Sequence, residues 1–339
     1  MTVTVSPARI AVGWISCLLL VVSSVDASPL SFKITGGLAW LDGGDLNSNI
    51  QGWKSYYSDR SLSPDNFSFD LAEIHFAREG GIEITYSLSP RWTIGLGLEL
   101  HQANSGGTMS SSLELEESYS RTVDDFGTIV FSENRIQRPE YRFRGLPIVL
   151  TLYHHFPFSS RGNVFVGAGG GYHFGRLEYK ENYQYDSDYT DDNSLSGSLL
   201  RYVDQYSSSG SYSEESRSDA LGFHGQAGLE WKVSGRIHLV FEVVGRWVGF
   251  TGWTGDKRDR YSWEQTWGFW GANTDQGADE TSSEGRLWMV GYQSDITGKS
   301  YPRLVFSDEE PRFASYQDVR LAKINGNGFS FRIGLKIGL

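Results

Sequence analysis

Nine charged side chains recur in the polar register of short alternating segments: Lys33, Glu83, Glu99, Glu230, Lys232, Glu242, Arg246, Arg332 and Lys336. Mixed cations and carboxylates of this kind have two uses. Enclosed together they neutralise one another as ion pairs, because a buried charge without a partner is costly. Lined along a wet path they pass ions or protons. His101, His173 and His224 share the same register, well above the nearest turn signals. Imidazoles titrate near neutral pH and ligate metals, so the three brought together would form a speculative metal or acid-sensing site. Other chemistry is sparse. The chain has no Ser-containing elbow motif and no His-Glu-x-x-His spacing, so catalysis is not predicted and no cofactor is implied.

Two polar stretches carry a different kind of chemistry. The segment from Tyr179 to Asp219 collects Asp186, Asp188, Asp191, Asp192, Glu214 and Glu215. It reads as a solvated, mobile loop, with divalent cations bound between its carboxylates and lipopolysaccharide as the sharper alternative. A later stretch holds Trp253, Trp263, Trp267, Trp270 and Trp288; aromatics of this sort form recognition surfaces or pack on each other. A net charge of −11 excludes nucleic acid as a partner.

The elements that must position these residues follow from period-2 alternation. It appears over Ser31–Leu41, Phe76–Leu88, Trp92–Asn104, Tyr141–His155, Asn163–Leu177, Ala220–Val233, Ile237–Phe250 and Gly328–Leu339. In the last, Phe329, Phe331, Ile333, Leu335 and Ile337 alternate with Ser330, Arg332, Gly334, Lys336 and Gly338. Pro147 cannot donate to a ladder, which predicts a bulge or local irregularity there. The connections alternate too: short at 89–91, 156–162 and 234–236, long and polar at 42–73, 105–139, 178–219 and 251–326. The Gly43-Gly44 and Gly80-Gly81 pairs read as turn signals. An up-and-down barrel of eight antiparallel strands satisfies both patterns, with short periplasmic turns and long extracellular loops. Arg286–Tyr292 and Ser315–Ile324 would suit extra strand extensions, leaving ten strands as the alternative. Trp40, Trp92, Tyr172, Trp231 and Trp247 fall on the apolar face at the two ends of the strands, the positions of interfacial aromatic belts.

The first residues predict export. Arg9, an apolar run from Ile10 to Val22, and Val25-Asp26-Ala27 form the pattern of a signal peptide over 1–27. The mature chain would run over 28–339 in the outer membrane. Cys17 lies within the signal, so that chain would hold no disulfide.

The terminal strand Phe329–Leu339, the Gly-rich strand Val164–Tyr172 and the exit Leu38-Ala39-Trp40-Leu41-Asp42-Gly43-Gly44-Asp45-Leu46-Asn47 carry a resemblance to the small eight-stranded outer-membrane barrels of the OmpA, OmpX and OmpW kind. The resemblance implies outer-membrane lipid and lipopolysaccharide as surroundings. It also implies insertion by the barrel-assembly machinery, which reads a terminal aromatic where this chain has Leu339. The implied functions are a structural or surface-interaction barrel with a charge-filled lumen, a small porin-like channel, or a lipid A-modifying hydrolase or acyltransferase.

Overall fold

The computed structural model describes residues 29–60, 67–122, 125–195 and 198–339; the predicted signal peptide lies outside them. In chain order the elements are β1 (Leu30–Leu41), α1 (Asp45–Arg60), β2 (Phe67–Phe69), β3 (Phe76–Ser87), β4 (Trp92–Gly106), β5 (Met109–Thr122), β6 (Asp125–Pro157), β7 (Gly162–Leu195), β8 (Ser198–Ser234), β9 (Ile237–Thr251), β10 (Thr254–Phe269), β11 (Asn273–Gln293), β12 (Ser300–Ser307), β13 (Tyr316–Leu321), β14 (Lys323–Asn325) and β15 (Gly328–Gly338). No described helix is long and apolar enough to cross a membrane.

Eight strands close a ring. β1 pairs with β3, β3 with β4, β4 with β6, β6 with β7, β7 with β8, β8 with β9, and β9 with β15. β15 then pairs with β1 in an unbroken register from Ser31↔Gly338 to Leu41↔Gly328. Every pairing is antiparallel, and each alternating segment of the sequence falls within one ring strand save for the end residues Leu88 and Leu339. Pro147 interrupts the ladder without shifting it. The β4–β6 pairing runs to Leu98↔Ile148, resumes at His101↔Gly145, and keeps one register across the gap.

Side-chain polarity in the ring is inverted relative to a water-soluble fold. Leu221 is 75% exposed, Phe223 70% and Phe331 61%, while Lys33, Glu79, Glu83, Glu242, Arg246 and Arg332 are buried. The alternation therefore points its apolar row outward and its charged row into the lumen. Trp40, Trp92, Tyr172, Trp231 and Trp247 all lie on the outer side, none of them buried.

The predicted long loops are not loops. β6, β7 and β8 run 33, 34 and 37 residues without a break in their mutual registers. They rise beyond the ring into an open upper sheet, continuous with the ring and widened by β5, β10, β11 and β12. The expected mobile segment Tyr179–Asp219 is the stem of this β7–β8 hairpin. Its tyrosines favour strand, and they meet across it in tilted or edge-on contacts at Tyr179–Tyr212, Tyr185–Tyr206 and Tyr189–Tyr202. The anticipated extensions 286–292 and 315–324 form the flanks β11 and β13 of that upper sheet, not a ninth and tenth ring strand.

β10 continues the direction of β9 alongside β8, but the register changes by one residue, from Gly222↔Val248 to Thr254↔Arg217. Gly252, with φ of +68°, makes the turn at this step, and Trp253 folds inward there with no exposed surface. Gly43 and Gly44 also have positive φ and deliver the chain from β1 into α1, as turn signals should. Gly80 and Gly81 do not turn; they sit inside β3, opposite Gly36 and Thr35. Helix α1 packs on β12. Asp45 pairs with Arg320 through both carboxylate oxygens, and Asn49 Oδ1 accepts the Leu304 N–H.

Candidate functional site

Two polar interiors lie one above the other on the ring axis. The lower is the lumen, built in tiers. Near the short turns Lys336 Nζ pairs with Glu230 at 2.8 Å. Above it Lys33 Nζ lies 2.5 Å from both Glu83 and Glu242, and the Tyr153 hydroxyl donates to Glu83 at 2.6 Å. Higher still, Arg332 forks onto Glu99 with two bonds of 2.7 Å and reaches Glu79 at 2.6 Å, while Arg246 meets Glu79 at 2.8 Å. Glycines make the room: a methyl group at Gly95 would overlap Glu83 Oε1, and one at Gly169 would crowd the His224 ring. The void left between Lys33, Glu99, Tyr153 and Arg332 is about 10 Å³, room for about one water.

Eight of the nine predicted lumen charges are in this network. Lys232 is not; it follows Trp231 at the turn end of β8 and is exposed. Glu79, which accepts from both arginines, is not among the predicted charges although it lies in the same alternating segment. Its parity with Glu83 was the available signal.

The three histidines each have their own contacts. Among the described residues no cluster of His, Cys, Asp or Glu has metal-holding geometry. His101 lies between Glu79 at 3.1 Å and Glu99 at 3.2 Å. His224 shares a hydrogen bond with Thr151 at 2.8 Å, and His173 stands edge-on to Phe250. The acidic residues of the upper hairpin are likewise taken up locally: Asp186 accepts from Ser207 and Asp192 faces Arg201.

An apolar layer caps the charged lumen. Ala39, Ala77, Ala103, Phe143, Phe250 and Trp253 are all buried there, and Leu46 and Ile50 of α1 close it from above. Trp253 packs against Phe250 and Phe143 with ring centroids 5.7 and 6.4 Å apart.

Above this layer, within the upper sheet, lies a cavity of about 400 Å³. Leu177, Leu287 and Tyr141 form its floor, Tyr179, Tyr212 and Trp53 its walls, and Tyr183, Asp259 and Arg135 its mouth. Register explains the assembly. Tyr141, Tyr179, Glu214 and Lys257 make one cross-strand row; Glu181, Tyr212 and Asp259 make the next on the same face. Glu214 is buried and, among the described residues, accepts from the Ser216 and Tyr212 hydroxyls at 2.9 and 3.3 Å. Burial pushes its pKa up to about 7. Behind the wall the Arg303 guanidinium stacks on Trp53, 3.2 Å from the ring centroid. Its burial lowers its pKa to about 10, and it has no carboxylate partner among the described residues. No sequence motif announced this cavity, whose residues come from seven elements.

Against known proteins, no family model and no curated relative matches the chain. Three solved structures are similar at low scores. The outer-membrane protease OmpT from Escherichia coli is 10% identical, covers 94% of this chain and 99% of its own, and has a TM-score of 0.24. A Pseudomonas aeruginosa FadL homologue is 8% identical, with coverages of 91% and 89% and a TM-score of 0.16. The siderophore receptor PirA from Pseudomonas aeruginosa is 8% identical, with coverages of 93% and 81% and a TM-score of 0.11. At these scores the likeness carries no mechanism across. None bears the OmpA, OmpX or OmpW name, so membership of that group is not supported. The first of these is an enzyme, against the expectation that this chain is none, but at a TM-score of 0.24 it assigns no activity to this chain.

Proposed function

We propose that the chain is an integral outer-membrane protein of surface-interaction type: an eight-stranded barrel, closed to solutes, that anchors an extracellular β-sheet made for contact with ligands or surfaces. One observation carries the reading, the inverted polarity of the ring. Soluble monomers rarely expose apolar patches beyond a few hundred Å², whereas here Leu, Ile, Val and Phe project outward from all eight ring strands. Lipid is the solvent that makes such a face favourable, and ring closure leaves no unpaired strand edge within it. The porin-like alternative is disfavoured by the ion-paired tiers and by the apolar layer above them.

Reconstitution of the purified chain into lipid vesicles tests this. The ring should resist protease and alkaline extraction, unheated samples should migrate faster on a denaturing gel, and planar bilayers should stay electrically silent. Stable solubility without detergent, or steady single-channel steps, would overturn it.

A further inference from the structure

The cavity above the apolar layer is built unlike the rest of the molecule. Its walls are aromatic, its carboxylates outnumber its cations, and the acids are not neutralised. Glu214 is 8% exposed, faces the cavity and forms no salt bridge with any described residue. Lys257, its register partner on β10, stands close enough to favour its ionised form without pairing to it. Asp259 Oδ1 is buried without a hydrogen-bond partner. Glu181 accepts from Gln137 at 2.6 Å and from the Tyr179 hydroxyl, again without a cation. Arg135 opens at the mouth, two cross-strand rows beyond Glu181, about 13 Å along the strand at about 3.3 Å per residue. Arg303 is screened behind Trp53.

Buried carboxylates of this kind are costly until a cation arrives. Aromatic faces attract cations through their quadrupole. The volume falls at the small end of the roughly 300–1,000 Å³ of small-molecule sites, well beyond what a bare metal ion would fill.

We infer that this cavity is a binding site for a small organic cation, an ammonium or guanidinium group on an apolar body. The charged head is held by Glu214 and Asp259 beside the Tyr179 and Tyr212 rings, which pack on each other to form one aromatic wall, and the body rests on Leu177 and Leu287. The site lies above the apolar belt, so binding in detergent solution tests it separately from the membrane reading.

The experiment uses the full chain in detergent with three matched probes, phenylethylammonium, phenylethanol and phenylacetate, measured by titration calorimetry. The cation should bind at least roughly tenfold more tightly than the neutral alcohol, as loss of a charge-assisted contact requires, and the anion should not bind. The groups facing Glu214 are Tyr141, Tyr179 and Glu181, with Tyr212, Lys257 and Asp259. Burial pushes the Glu214 pKa up to about 7. Affinity for the cation should therefore rise as pH increases through that value and then level off, because an alkylammonium stays charged to about pH 10. Glu214→Gln should weaken binding and abolish the pH dependence. Asp259→Asn, at the half-exposed mouth where folding is safe, should weaken it as well. Equal binding of cation and alcohol, preferential binding of the anion, no cation binding at millimolar concentration, or an unchanged affinity in Asp259→Asn would each overturn the assignment.

Discussion

The lumen arginines are held by two glutamates, and the consequences differ sharply by position. Glu79→Ala leaves Arg246 with the Ser330 hydroxyl and a longer 3.8 Å contact to Glu99, and takes from Arg332 one of its two carboxylates; breaking a buried pair costs about 3–5 kcal/mol. Urea unfolding of the vesicle-inserted protein should show that loss, while Lys232→Ala, outside the network, should leave the midpoint unmoved. Glu214 makes a second prediction, in pH. Its folded pKa of about 7 exceeds the usual Glu value of about 4.3. Between those values the folded chain holds a proton that the unfolded chain has released. Stability of the upper sheet is therefore greatest below the window and falls as pH rises through about 7. Tyrosine near-UV dichroism should melt at lower temperature in mildly alkaline than in mildly acidic buffer, and Glu214→Gln should flatten the difference.

At the scale of elements, legibility followed the solvent on each side. The ring strands were readable because one face is apolar and the other polar, so Phe329, Phe331 and Ile333 separated cleanly from Ser330, Arg332 and Gly334. The upper halves of β6, β7 and β8 have water or polar neighbours on both faces. Their sequence carries no apolar period, and they passed for loops. Helix α1 was overlooked despite a usable signal, since Leu46, Ile50, Trp53 and Tyr57 recur at helical spacing behind Asp45. The cavity was illegible because its members meet only through cross-strand register. Two tests belong at this scale. Replacing residues 187–206 by an Asn-Gly turn should leave the ring folded, as judged by gel mobility, because no ring pairing involves them. It should speed amide exchange at Trp267 and Phe269, whose partners Asp204 and Tyr202 would be gone. Trp253→Ala should cost about 3–5 kcal/mol as a cavity in the apolar layer, read from the same unfolding assay.

For the whole molecule, lipid contact and upper sheet are separable. A charge on the outer row, Phe223→Lys, should cost about 2–4 kcal/mol of insertion stability if that row meets the bilayer interior, measurable as a lower folded fraction in vesicles, while cation binding in detergent stays intact. The ring has one more property of wide reach. Its seam joins β1 to β15, the earliest and the latest strands of the fold, and Leu339 N–H donates to the Leu30 carbonyl. Contacts so distant in sequence are slow to form. The first strand must wait, with one edge unsatisfied, until the last has been made and delivered. Until β15 is in place the β1 edge at the seam has no partner, so closure of the ring is timed by the arrival of its final eleven-residue strand.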